Sequence, residues 1–109
     1  MLEGPKAQQG RYSVNWQHHH ATINGIRMHY VEQGEGLPIV LCHGFPHLWF
    51  SWHRQIPALA AAGFRVIVPD MRGMGQTEAP ADPAAYDVEH ICGDLLGLLA
   101  HAGAERAVF

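Results

Sequence analysis

The chain has 109 residues, of which 48% are apolar and 16% charged, with a formal net charge of −3 when its nine histidines are neutral. That length allows one modest core, and the weak negative charge supplies no basic field for nucleic acid or an anionic membrane surface. No apolar run approaches the roughly 18 to 20 residues that span a bilayer, and Met1-Leu2-Glu3-Gly4-Pro5-Lys6 lacks the apolar stretch of a secretory signal. The two cysteines, Cys42 and Cys92, read as buried free thiols rather than a bridge, which fits a reducing cytoplasm.

Residues 1–20 are polar and unpatterned and read as an N-terminal arm without an assigned function; residues 21–109 read as the folded part. The run His18-His19-His20 is shorter than a tag and is read as the mouth of a strand, not as a metal site. Asn24-Gly25 then supplies the two positive-φ residues of a type I′ turn, so Ala21 to Val31 reads as a hairpin. Gly34, Gly36 and Pro38 break that pattern. Ile39-Val40-Leu41-Cys42 follows as a continuous apolar run suited to a central strand covered on both faces.

After the turn His43-Gly44-Phe45-Pro46, residues 51–63 read as a helix with Ser51 as N-cap and Gly63 as its stop. Pro57 forbids a regular helix through that point, which predicts an irregular first turn and a restart with the proline in the opening turn. Phe64 to Val68 is the next buried strand, and Pro80 to Pro83 a surface loop. Asp87 caps a helix whose apolar positions Val88, Ile91, Leu95, Leu98 and Ala102 recur at three- and four-residue steps. Gly103 ends it, and Ala107-Val108-Phe109 starts another strand. Strands alternating with helices predict an α/β fold with a mostly parallel sheet, helices on both faces, and a ligand site beyond the carboxyl ends of the strands.

Both glycine-containing loops fall at such ends. His43-Gly44-Phe45-Pro46 reads as an anion-binding backbone turn, half of an oxyanion hole, with His43 as a brace rather than a general base. Asp70-Met71-Arg72-Gly73-Met74-Gly75 reads as a loop stiffened by an Asp70/Arg72 ion pair. Gly73-Met74-Gly75 is too short for a nucleotide fingerprint. His43 and His47 straddle Pro46 and cannot present both rings from one helix turn, so no metal is expected. Cys42 reads as a packed thiol, not a nucleophile. No cofactor is implied.

These residues, together with Trp49, Ser51-Trp52, Gln55-Ile56-Pro57-Ala58-Leu59 and Gly103-Ala104-Glu105-Arg106-Ala107, resemble the opening segment of an α/β-hydrolase, within it the epoxide hydrolase branch. The resemblance covers roughly residues 20–109, and haloalkane and haloacetate dehalogenases share its motifs. His47 departs from it, standing where epoxide hydrolases often have an acidic or amide residue.

The resemblance implies a hydrolase that opens an epoxide to a vicinal diol through an aspartyl alkyl ester. Phe45 would supply one oxyanion-hole N–H, Gly44 would allow close approach, and Pro46 would fix the turn. Phe45, Pro46 and Trp52 would bound the substrate pocket, the Phe45 side chain lining it; Trp52 could equally pack the start of its helix. His43, Gly44, Asp70, Arg72 and Gly73 would shape the two loops. The nucleophile, the lid tyrosines and the base histidine of the family have no counterpart before Phe109. The segment alone is therefore expected to be inactive and to need the rest of the fold, in the same or another chain. A haloalkane or haloacetate substrate, or a non-catalytic fragment completed by a partner chain, are the alternatives.

Overall fold

The computed structural model describes residues 15–109. In chain order it contains β1 (His18–Ile23), β2 (Ile26–Gln33), β3 (Leu37–Val40), a 3-10 turn (Trp49–Trp52), α1 (Gln55–Ala61), β4 (Phe64–Pro69), a second 3-10 turn (Pro83–Tyr86) and α2 (Val88–His101). Asn24 and Gly25 adopt φ of 52° and 81°, the left-handed pair of a type I′ turn. Ile23 accordingly faces Ile26, and the hairpin pairs in register back to His18 opposite Val31. The arm expected over residues 1–20 thus gives way to β1 at His18, and Trp16 already packs against the core. The remainder of that arm, residues 1–14, lies outside the described residues.

The sheet order is β1-β2-β4-β3. β2 is antiparallel to β1 and to β4, while β3 runs parallel to β4. This part of the sheet is therefore mixed: the hairpin brings antiparallel ladders, and the parallel character enters with β3. On the far side of β3, Ile39 bridges Val108 in parallel, with the Val40 N–H donating to the Val108 carbonyl at 2.8 Å. β3 thus has a neighbour on each side.

Strand alternation sends side chains to two cores. Met28, Tyr30, Val40 and Ile67 pack with Ile23, Leu98 and Leu99 beneath α2. Val31, Val66 and Val68 pack on the opposite face with Trp49 and Ile56. Helices therefore cover both faces, as expected from the sequence.

Each helix corrects one expectation. Ser51 is not an N-cap: it lies inside the first 3-10 turn, where its hydroxyl donates to the Leu48 carbonyl at 2.8 Å. α1 starts after Arg54, which makes no side-chain cap bond, and Pro57 sits in its first turn, where a missing N–H removes no helical bond. In α2 the Asp87 carboxylate does cap, accepting from the His90 N–H at 2.9 Å. Val88, however, is 74% exposed, and the buried stripe runs through Asp94, Leu98 and Leu99. Fully burying a leucine is worth ~1.5–3 kcal/mol, so Leu98 holds the helix down and Val88 does not.

The β2–β3 connection is packed backbone on backbone. Gly36 has φ of 126°, and a Cβ there would run into the Gly63 carbonyl oxygen. Gly36→Ala is expected to cost roughly 1–3 kcal/mol, the scale of a strained non-glycine backbone, read as a lowered denaturant midpoint of the full-length protein. Among the described residues no helix is long and apolar enough to cross a membrane. No group of three or more His, Cys, Asp or Glu among them is placed to hold a metal ion.

Candidate active site

β3 ends at Val40, but the Leu41 N–H still donates to the Ile67 carbonyl at 3.0 Å, so the chain stays beside β4 before it turns away. The turn is closed by the His47 N–H on the Gly44 carbonyl at 2.7 Å, and the Phe45–Pro46 peptide is cis. The Phe45 amide meets no acceptor among the described residues. His43 ties this turn to the neighbouring loop: its Nε2 accepts the Met71 N–H at 2.9 Å. An accepting Nε2 carries no proton, so the ring is neutral with its hydrogen on Nδ1. Burial pulls its pKa below the ordinary imidazole value, which outweighs the opposing pull of the Gly44 carbonyl and Asp70.

Beside the turn opens a cleft of about 240 Å³ whose lining includes Cys42, His43, Gly44, His47 and Trp52. Phe45 and Pro46 are not part of that lining, and Phe45 is 84% exposed. The Phe45 ring thus lies outside the cleft that the described residues form. Trp52 does reach the cleft, and its indole Nε1 is buried without an acceptor among the described residues. Burial pushes the Cys42 thiol up, away from the thiolate that a nucleophile needs. Both cysteines are free, but Cys92 is exposed on α2 rather than buried.

The Asp70/Arg72 pair does not form. Asp70 follows directly on β4 whereas Arg72 lies in the turn beyond it, and each finds a different partner. Asp70 is buried; one oxygen accepts the Trp49 N–H at 2.9 Å, the other the Gln76 N–H at 3.1 Å and bonds His29 Nδ1 at 2.8 Å. Burial pushes this carboxyl up, but the bonds from His29, Trp49 and Gln76 together outweigh it and hold the pKa below the usual carboxylate value. Arg72 forks onto Asp94 of α2, with Nε and Nη2 each 2.8 Å from a carboxylate oxygen, and donates through Nη1 to the Ala85 carbonyl at 2.9 Å. Asn24 at the hairpin tip adds a bond to Asp94 at 3.0 Å.

The loop after β4 is shaped around these groups. Gly73 has φ of 81°, and a Cβ there would lie 2.7 Å from the Tyr86 ring. The Thr77 hydroxyl donates to the Asp70 carbonyl at 2.7 Å and accepts the His29 N–H at 3.0 Å. Sequence reading missed His29, Thr77, Asn24 and Asp94. Only Asp94 left a signal: it falls between Ile91 and Leu98 on the apolar stripe of α2, where a carboxylate needs a cation.

The sequence profile of the alpha/beta hydrolase fold matches residues 38–109, well over half of the chain. The chain belongs to the alpha/beta hydrolase fold family. Among curated proteins this alpha/beta hydrolase segment is 51% identical over 85 residues to bifunctional epoxide hydrolase 2 of Sus scrofa, a match covering 78% of the chain and 15% of that protein. It is 53% identical over 88 residues to epoxide hydrolase A of Mycobacterium tuberculosis, covering 79% and 27% respectively. The crystal structure of an epoxide hydrolase from Vigna radiata superposes with a TM-score of 0.83 at 42% identity, over 84% of this chain and 29% of that one. The alpha/beta hydrolase chain thus spans less than a third of the length of these relatives.

Proposed function

We propose that this segment supplies the oxyanion-hole half of an epoxide hydrolase, which converts an epoxide to a vicinal diol through an ester on an aspartate outside residues 1–109. The observation that carries the reading is the His43–Pro46 turn: a Phe45 amide with no acceptor among the described residues, just past the carboxyl end of β3, beside a cleft, in a chain similar to proteins named as epoxide hydrolases at about half identity.

In this reading the aspartate carboxylate attacks an epoxide carbon, the ring C–O bond breaks, and the freed oxygen takes a proton. Water, giving up a proton to a base in the rest of the fold, then adds to the ester carbonyl; the tetrahedral oxyanion is met by the Phe45 N–H, and its collapse breaks the ester C–O bond, releasing the diol and restoring the carboxylate. Gly44, without a side chain, lets the reacting group come close, and Pro46 has no N–H to compete for it. His43, Asp70, Arg72 and Gly73 keep the two loops in position, and Trp52 bounds the cleft. Small electrophiles are the substrates, and the rest of the hydrolase fold completes the site. Two free thiols suit a reducing, cytoplasmic setting.

The test is turnover by the full-length protein of a styrene-type epoxide beside a chloroalkane of similar size. Diol release with no halide release is the expected result. Halide release with inert epoxide would move the protein to the dehalogenase side of the fold.

A further inference from the structure

A chain of hydrogen bonds whose two histidines lie outside the cleft lining runs from the surface into the sheet. His18, exposed at the start of edge strand β1, has Nδ1 2.8 Å from Nε2 of His29, and His29 Nδ1 lies 2.8 Å from the Asp70 carboxylate. His29 is fully buried. The two rings are nearly coplanar, 21° apart with centroids at 5.1 Å, the geometry of an in-plane N–H···N bond rather than of face-to-face stacking. The Trp49 ring stands edge-on to both imidazoles.

Proton counting constrains this arrangement. His29 donates through Nδ1 to Asp70, which is acceptor-only when ionised. With both rings neutral, Nε2 of His29 accepts from His18. With one added proton, His29 becomes the donor at both nitrogens and Nδ1 of His18 accepts. A second added proton puts N–H on both facing atoms, and the bond is lost. We infer that His18 and His29 form an acid-released latch, which pins the start of β1 over Trp49 while the pair carries no more than one extra proton and lets go when it takes up the second.

The surroundings fit a latch that opens in acid. His20 lies on the same face of β1 as His18, directly opposite His29, and bonds Gln76 at 3.2 Å. His19 faces the other way, against Tyr30. On β2, Arg27 shares the face of His29 by alternation, and Glu78 accepts the Arg27 N–H. Just past the end of β4, Asp70 is the one carboxylate among the described residues bonded to the pair, and the 3-10 turn contributes Trp49, which carries no charge. Burial, followed by the charges of His29 and His20, holds the His18 pKa below the ordinary imidazole value. A histidine whose pKa falls on folding binds fewer protons folded than unfolded, so its stabilisation is present above the ordinary imidazole pKa and is lost as pH falls below it.

The experiment follows the imidazole nitrogen resonances of both residues by NMR in the full-length protein, from about pH 8 to about pH 4, either side of the imidazole range. Because the two rings share one hydrogen bond, each of two protonation steps is expected to move the nitrogen resonances of both rings. At the lower step, hydrogen-exchange protection of the β1 amides should fall about tenfold beyond the intrinsic pH trend, with β4 unchanged. His18→Phe, which keeps a ring beside Trp49, should leave a single step at His29. Independent single-step curves in the wild-type protein overturn the inference, as does β1 protection that ignores the second step. The wild-type titration decides the matter even if the variant does not fold. None of these readouts uses turnover, so the outcome is separate from that of the proposed reaction.

Discussion

Asp94→Ala is expected to lower the unfolding free energy of the full-length protein by about 3–5 kcal/mol, the usual result of leaving one member of a buried pair uncompensated. The Arg72 and Asp94 side chains are 3% and 2% exposed, so water cannot replace the lost carboxylate. The hydrogen bond to Asp94 raises the Arg72 pKa further, against the effect of burial, so the guanidinium cannot escape the cost by shedding its proton. The same substitution removes the stronger of the two bonds that Asn24 donates from the hairpin tip to α2, leaving the one to the His90 carbonyl at 3.3 Å. Three elements would loosen together: the loop after β4, helix α2 and the β1–β2 turn. Equilibrium denaturation in urea measures the effect, and the double variant Arg72→Met/Asp94→Leu is expected to recover most of it, because removing both charges removes the need for pairing. A loss below about 1 kcal/mol for the single variant, typical of an exposed pair, would mean that water reaches the site.

Phe45→Pro is expected to slow ester hydrolysis by about 10²- to 10³-fold, corresponding to ~3–4 kcal/mol for one oxyanion donor. Proline deletes the amide hydrogen and also fixes φ at that position, so the comparison of the two chemical steps within the variant carries the test. Phe45→Ala is the control: it keeps the N–H and removes a ring that is already 84% exposed, so it should leave hydrolysis within a few-fold of wild type. Single-turnover kinetics separate the two chemical steps. Because the tetrahedral oxyanion forms only when water attacks the ester, Phe45→Pro should affect ester formation far less than ester breakdown. Equal slowing of both steps would remove the oxyanion role and leave Phe45 as a shaping residue.

How the candidate site is held was only partly legible in the residues. His43 was read as a brace, and its Nε2 meets the Met71 N–H across the gap between the two loops. Asp70 and Arg72 were read as partners because they stand two apart in a short loop. β4 ends at Pro69 and the chain turns at Arg72-Gly73, so Asp70 stays beside His29 and Trp49 while Arg72 is carried round to Asp94. Proximity in sequence was a poor guide to pairing here. Ser51 was read as an N-cap for a similar reason: its residue type suits a cap, but Pro57 displaces the start of α1 to Gln55 and leaves Ser51 inside a 3-10 turn.

Local chemistry was sufficient wherever a residue type admits few backbone states. Asn24-Gly25 determined the hairpin, Asp87 the start of α2, Gly63 and Gly103 the ends of both helices, and Pro57 the break before α1, since each acts through its own dihedral angles or its nearest amides. The period of apolar residues likewise determined the alternation of strand and helix and, with it, an α/β fold. Tertiary structure alone decided what joined across the chain. His29 reaches Asp70 over 41 positions and Asn24 reaches Asp94 over 70, separations at which no spacing rule operates. Buried polar groups take whichever partner the packed sheet and helices bring within hydrogen-bond distance, and that choice exists only after the apolar faces have closed.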